Sequence, residues 1–293
     1  MLSMKNRSIL FFLFFSHAVM AQKTAIQLNL KKGEVYEHHI HSESEVFSKN
    51  NGKTSKFSML VEACVSYKVK SFKKDVYTIE AQYRQMDITV HNSDGTNIVM
   101  LSDGKADDLM STIFHQLCQS SFEMQITKFG EITKVEGINR LFEKSINDLP
   151  VPTERKEKLK AELESSYGEK SFKGNFEMIT LIYPKTLVAL NESWQTQTDI
   201  YSKTIKAKME YTYTWLGSSD DGIIISGKST TLSDEKNTTE NLKKVDGSST
   251  ILMHLNKETG WIRKATVNQN MRFGTKDEDG YIFTKMKTTY TNH

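Results

Sequence analysis

From Met59 to Val69 the odd positions read Met, Val, Ala, Val, Tyr and Val, whereas the even positions from Leu60 to Lys70 read Leu, Glu, Cys, Ser, Lys and Lys. One side of this stretch is apolar and the other mostly polar, which is the period-two signature of an antiparallel strand with one buried face. The same alternation predicts strands at Ala25–Leu30, Val35–Phe47, Val76–Val90 and Thr96–Leu101. Lys73-Lys74-Asp75 and Asn92-Ser93-Asp94-Gly95 supply the turn chemistry between them. Strands of this length imply a strongly twisted or curved sheet.

The period then changes. Asp107–Ser120 places Met110, Ile113, Phe114 and Leu117 at helical spacing, with Asp107 or Asp108 positioned to favour the helix dipole. Phe122–Lys128 and Glu131–Val135 read as a hairpin around Phe129-Gly130, and Ile138–Ile146 as a helix. Another helix starts at Thr153 after Pro150 and Pro152, and the stripe Phe172, Phe176, Ile179 and Tyr183 runs on until Pro184 stops it. Strands return at Ser193–Tyr201, Ile205–Leu216, Ile223–Thr231, Asn241–Leu255, Gly260–Phe273 and Tyr281–Thr291. The expected fold is α+β and β-dominated, with long curved antiparallel sheet from two related halves and a central helical segment packed on it. Its division is a targeting segment over 1–21 and one domain over 22–293, made of a first β half (22–137), a helical middle (138–184) and a second β half (185–293).

The two halves read alike in order. Gly33–Ile40, Val65–Phe72 and Val76–Tyr83 correspond to Asn191–Thr198, Met209–Leu216 and Gly222–Ser229. In each half a strand that turns at glycine follows, Ser121–Gly137 in the first and Ser249–Val267 in the second. The G-E-V-Y opening (Gly33–Tyr36), the V-K-S and Y-T pair (Val69–Ser71, Tyr77-Thr78), the F-G-E-I-T-K-V-E-G hairpin (Phe129–Gly137) and the junction from Tyr183-Pro184 to Glu192-Ser193-Trp194 resemble a family of secreted bacterial proteins of unknown function. The resemblance covers nearly all of the chain beyond the targeting segment. It implies a fold plan and a compartment, and it carries no catalytic residue across. The chain departs from it at Asn191, where glycine-aspartate is expected.

Lys5 and Arg7, the apolar run Ile9–Phe15 and Val19-Met20-Ala21 before Gln22 follow the order of a cleaved signal peptide, cut after Ala21. This places the protein in the periplasm or outside the cell. No cysteine follows the cut to take a lipid anchor, and no segment approaches the ~18 apolar residues of a membrane span. Without Lys5 and Arg7, the 39 basic residues fall to 37 against 36 acidic ones. A near-neutral chain gives no electrostatic reason to expect nucleic acid.

Candidate chemistry is sparse. Cys64 and Cys118 form either a disulfide, worth ~4 kcal/mol by chain entropy in an oxidising compartment, or two unpaired thiols. His39 and His41 share one face of a strand and form a metal-ligand pair awaiting a third residue, against the alternative of a polar edge strand. The sequence has no nucleophile elbow, phosphate-binding loop or dinucleotide fingerprint. The expectation is therefore a non-enzymatic binding protein with no cofactor. Phe114, Leu117, Phe172, Phe176 and Ile179 are the candidate lining of a cavity between sheet and helices that holds a hydrophobic or envelope-derived ligand. If side chains fill that space instead, the protein is a structural or interaction module whose partner is another envelope component.

Overall fold

The structure is a computed structural model and describes residues 23–50, 52–105, 108–202, 205–220, 222–233, 244–274 and 280–292. The proposed signal peptide lies outside these residues. Six strands come first: β1 (Val35–Asn50), β2 (Lys53–Lys73), β3 (Val76–Asn92), the short β4 (Asn97–Met100), β5 (Phe122–Thr127) and β6 (Ile132–Glu136). Helix α1 (Leu109–Cys118) sits between β4 and β5. Helices α2 (Ile138–Asn147), α3 (Thr153–Tyr167) and α4 (Glu169–Thr180) then lead to β7 (Ser193–Ser202), β8 (Ile205–Ser219), β9 (Gly222–Ser233), β10 (Val245–Leu255), β11 (Ile262–Phe273) and β12 (Gly280–Thr291).

All twelve strands belong to one antiparallel sheet, ordered β6-β5-β3-β2-β1-β12-β11-β10-β9-β8-β7, with β4 attached to β3. The chain enters the middle of the sheet at β1 and steps outward to β6. The helices carry it to the opposite edge, and it steps back from β7 until β12 pairs with β1 along His39–Asn50. The strands matched between the halves in sequence are neighbours in the same order in both. Two strands have no counterpart: β4, a side branch on β3, and β12, which joins the second half to β1.

Local chemistry accounts for the turns. Lys74 and Asp75 both take left-handed backbone (φ 50° and 63°), as a two-residue hairpin requires. Asp108 caps α1 by accepting from the amides of Met110 and Ser111, both at 3.0 Å. Asn191, at φ 64°, takes the left-handed conformation for which glycine is expected and which asparagine tolerates.

Two expected elements differ. Ala25–Leu30 is an extended segment, not a strand of the sheet. Its alternating Ile26, Leu28 and Leu30 are buried, but its backbone bonds go to scattered partners: Leu28 N–H to the Lys128 carbonyl and Asn29 N–H to the Thr259 carbonyl, each at 2.8 Å. It lies across the end of the sheet as a strap. Helix α4 also stops at Thr180, before Tyr183; Leu181 leaves the helical region with ψ 56°. Tyr183 instead donates from its hydroxyl to the Gly260 carbonyl at 2.8 Å.

The sheet curls until its edge strands nearly meet. Residues of β3, β5 and β6 share one apolar core with residues of β8, β9 and β10 and with the helices. Tyr77, Ile79, Ile126, Ile132, Met209, Tyr213, Ile225 and Met253 are all at most 2% exposed. Burying this many large side chains, at about 25 cal/mol per Å² of apolar surface, is the main force that holds the curl.

Candidate functional site

The gap between edge strands β6 and β7 is sealed by α4. Gly174 lets the helix approach so closely that a Cβ there would lie 2.3 Å from the Asp199 carbonyl oxygen of β7. One turn later, the buried Glu177 carboxylate accepts the Ile132 amide of β6 at 2.9 Å and the Thr198 hydroxyl of β7 at 2.8 Å. Lys173 Nζ stands 3.7 Å from the same carboxylate. On the β6 side, the Thr180 hydroxyl donates to the Gly130 carbonyl at 2.9 Å.

A depression of about 1380 Å³ runs outward from this seam. Its walls come from α4 and the following segment (Lys170, Lys173, Leu181, Lys185) and from β7. Its floor is the outward face of β7–β10, where Gln195, Gln197, Glu210, Thr212, Lys228, Thr230, Ser248 and Thr250 are all exposed. Hydroxyl, amide and charged groups share the lining with Leu181, Tyr183, Trp194 and Tyr211. Lysines Lys170, Lys173, Lys185 and Lys228 are offset by Glu131, Glu177, Asp199 and Glu210, so the groove carries little net charge. A second, smaller depression of about 560 Å³ lies on the outward face of β1, β2, β11 and β12, between Glu43, Glu45, Lys285 and Lys287.

The five residues expected to line a cavity do not line either depression. They are packed in the core: Phe114, Leu117, Phe172 and Ile179 are between 4% and 8% exposed, and Phe176 is half-buried. Phe172 stacks on Phe176 with centroids 5.3 Å apart and meets Phe122 edge-on at 4.9 Å, while Phe176 contacts Tyr67 at 5.5 Å. Aromatic–aromatic packing joins these side chains to the core.

The histidine triplet of β1 divides by face. His38 points inward and is wholly buried. It stacks on Trp261 (4.6 Å, 12°), and its Nε2–H donates to the Ile262 carbonyl at 3.3 Å. Burial lowers its pKa to about 4, so it is a neutral core residue at physiological pH. His39 and His41 point outward, as the alternation predicts, but they meet different partners. His41 Nδ1 lies 2.5 Å from Glu62 Oε1, which raises the histidine's pKa, and its Nε2 is 3.5 Å from Glu43. His39 pairs across the ladder with Cys64, its Nε2 at 4.0 Å from Sγ. Glu37 completes a group whose three ligand atoms lie within 4.8 Å of one another.

Cys64 and Cys118 are free buried thiols, on β2 and at the end of α1, so the alternative of two unpaired thiols describes them. Burial pushes both thiols up; beside Cys64 the Glu37 carboxylate adds to this and the Arg84 guanidinium works against it. A thiol held protonated is a poor nucleophile. Sequence reasoning found His39, on the strand that also carries Glu37, but missed Cys64 as its neighbour. The signal lay in the strand register, which no single-strand pattern contains. It also missed the outer groove, whose Gln, Thr and Ser residues read as ordinary solvent-facing positions.

The architecture defines a β-dominated α+β protein: one curled antiparallel sheet sealed by a helix. Residues 74–262 match the Family of unknown function (DUF6263), and the chain belongs to that family. No curated protein matches it. Among solved structures it is similar to the translocator domain of the autotransporter NalP from Neisseria meningitidis, at 8% identity and TM-score 0.25 over 90% of each chain. It is also similar to an outer membrane channel from Pseudomonas putida F1, at 8% identity and TM-score 0.24, covering 91% of this chain and 97% of that one. Among the described residues no helix is long and apolar enough to cross a membrane.

Proposed function

We propose that the protein is a non-enzymatic binding protein of the bacterial envelope that takes a polar, envelope-derived glycan in the groove between α4 and the outward face of β7–β10. The observation that carries this reading is the lining of that groove. Gln195, Gln197, Thr212, Thr230, Ser248 and Thr250 present donors and acceptors side by side across four strands, with little net charge. Such a surface is complementary to a neutral chain bearing hydroxyl and acetamido groups, and a weak match for an acyl tail. At about 1380 Å³ the groove exceeds the ~300–1,000 Å³ of ordinary small-ligand sites and has room for several sugar rings. The envelope location rests on the order of basic head, apolar run and small residues over 1–21.

The test is calorimetric titration of the full chain with soluble N-acetylated glycan-strand fragments, repeated on Gln197→Ala and Thr230→Ala. Both positions are exposed, so the variants fold. Each lost hydrogen bond, at about 0.5–1.5 kcal/mol, weakens binding by about 2- to 10-fold. Fragments that fail to bind, combined with saturable uptake of a lipid-reporting dye, would return the ligand to the interior and overturn this reading.

A second reading, an interaction module without a small ligand, is favoured by β4. That strand pairs only with β3 and exposes Ile98 (53%) and Val99 (47%), an edge suited to strand addition by a partner protein. It would be supported if Val99→Lys abolished a co-purifying partner while glycan fragments had no effect.

A further inference from the structure

The geometry points to a zinc site on the outward face of β1 and β2, formed by Glu37, His39 and Cys64. The three side chains come from two adjacent strands. His39 and Cys64 are directly opposed in the ladder, and Glu37 lies two residues before His39 on the same face. Thiolate, imidazole and carboxylate together make a donor set suited to Zn²⁺, because the soft sulfur disfavours Mg²⁺ and Ca²⁺.

The distances fit with little movement. Zn–S of about 2.3 Å and Zn–N of about 2.0–2.1 Å at a tetrahedral angle put sulfur and nitrogen about 3.6 Å apart. His39 Nε2 and Cys64 Sγ stand 4.0 Å apart. A rotation of either side chain by a few tenths of an ångström closes the difference. All pairs of ligand atoms, the carboxylate oxygen included, already lie within 4.8 Å.

Charge and access agree with this assignment. On binding, Cys64 loses its thiol proton to solvent, so thiolate and carboxylate together balance the dipositive ion. The Arg84 guanidinium acts on the thiol; its Nε–H donates to the Ser66 hydroxyl at 3.0 Å, which anchors it. Cys64 is 7% exposed, while Glu37 and His39 are half-buried. The ion therefore has a shielded sulfur on one side and a solvent path on the other, with the fourth position left to water. His41 is not part of the site: its ring is engaged by Glu62 and Glu43. This assignment is independent of the glycan groove, which lies on β7–β10.

The full chain, stripped of metal, is titrated with Co²⁺ as the spectroscopic probe and then challenged with Zn²⁺. One Co²⁺ binds per chain with a sulfur-to-cobalt charge-transfer band in the near ultraviolet, and Zn²⁺ displaces it. Cys64→Ser abolishes the band, and His39→Gln and Glu37→Gln each weaken binding more than about tenfold. His41→Ala and Cys118→Ser leave the band and the affinity unchanged. Absence of Co²⁺ binding, a band that survives Cys64→Ser, or a band lost in Cys118→Ser overturns the assignment. If Cys64→Ser fails to fold, alkylation of the unaltered protein decides: Zn²⁺ must slow modification of Cys64 and leave Cys118 unaffected, and equal rates at both overturn it.

Discussion

Glu177→Ala is the sharpest test of how the sheet is closed. The carboxylate is 5% exposed and accepts two hydrogen bonds, from the Ile132 amide at 2.9 Å and the Thr198 hydroxyl at 2.8 Å, one on each edge strand. Truncation strands both donors in a site too tight for easy solvation, at about 1–3 kcal/mol for each. Part of that is offset because a buried carboxylate no longer has to be desolvated. The net cost is about 2–4 kcal/mol. At about 2–4 °C per kcal/mol for a domain of roughly this size, Tm falls by about 4–16 °C. Glu177→Gln is the control. Its amide oxygen still accepts from Ile132, and its amino group can donate to the Thr198 oxygen, so it loses under about 1.5 kcal/mol. Urea denaturation measures both variants, and hydrogen exchange at the Ile132 amide reports the seam directly. Loosening the seam also frees the edges of β6 and β7, so Glu177→Ala gains a concentration-dependent tendency to associate. An alanine variant within about 0.5 kcal/mol of the parent, or a glutamine variant as damaged as alanine, would refute the argument that these two hydrogen bonds hold the seam.

Three further outcomes follow from the same coordinates. His38 has its pKa lowered to about 4 from 6.5, so between those values only the unfolded chain takes up its proton; stability falls as pH drops through that window, by about 3 kcal/mol in all. His38→Gln flattens that slope, whereas the raised pKa of His41 works in the opposite sense and appears in an NMR titration as a ring that stays protonated above 6.5. Gly130→Ala is severe, because φ is +81° and the new Cβ would lie 1.7 Å from the Thr180 carbonyl oxygen; it costs more than about 3 kcal/mol, read as lost soluble expression or a lowered denaturation midpoint. Asn191→Gly is nearly neutral and Asn191→Ala costs about 1 kcal/mol in the same assay, since the φ of 64° is left-handed.

Most of the fold was legible because the sheet is long and mainly one-sided. Alternation along Val35–Phe47, Val76–Val90 and the six C-terminal strands is the direct imprint of a buried inner face, and with the hairpin around Phe129-Gly130 it located the strands of the curled sheet among the described residues; the expected start at Asn241–Lys243 lies outside them. The strap Ala25–Leu30 was misread because Ile26, Leu28 and Leu30 alternate like a strand. Alternation reports burial on one side of an extended chain and says nothing of which backbone partners it meets. Tyr183 was misread for a related reason: it falls in step with Phe172, Phe176 and Ile179, but Leu181 turns the chain and its burial comes from the Gly260 loop. The site was the least legible part. His39 carries its own signal, but Cys64 lies 25 residues away, and only the β1–β2 register brings the two together. Aromatic spacing in α4 was visible, yet spacing cannot tell a residue that lines a hollow from one that fills it.

That last distinction decides between the binding modes. Beyond the aromatic core the inward row of the sheet turns small and polar, with Ser42, Ser44, Ser229, Thr231, Ser249, Gln269 and Thr288 all buried. Several of these hydroxyls satisfy one another across neighbouring strands, Ser42 with Thr288 at 2.8 Å and Ser229 with Ser249 at 2.6 Å. Nearer the helices an acyl chain would have to displace rings already in contact. On the outward face of β7–β10 the position is reversed: hydroxyls and amides are solvated, displayed on a rigid ladder, and free to exchange water for a polar ligand at small cost. On the reading proposed above, a sheet that has spent its apolar face on its own helices recognises its ligand with its outer surface, through hydrogen-bonding groups.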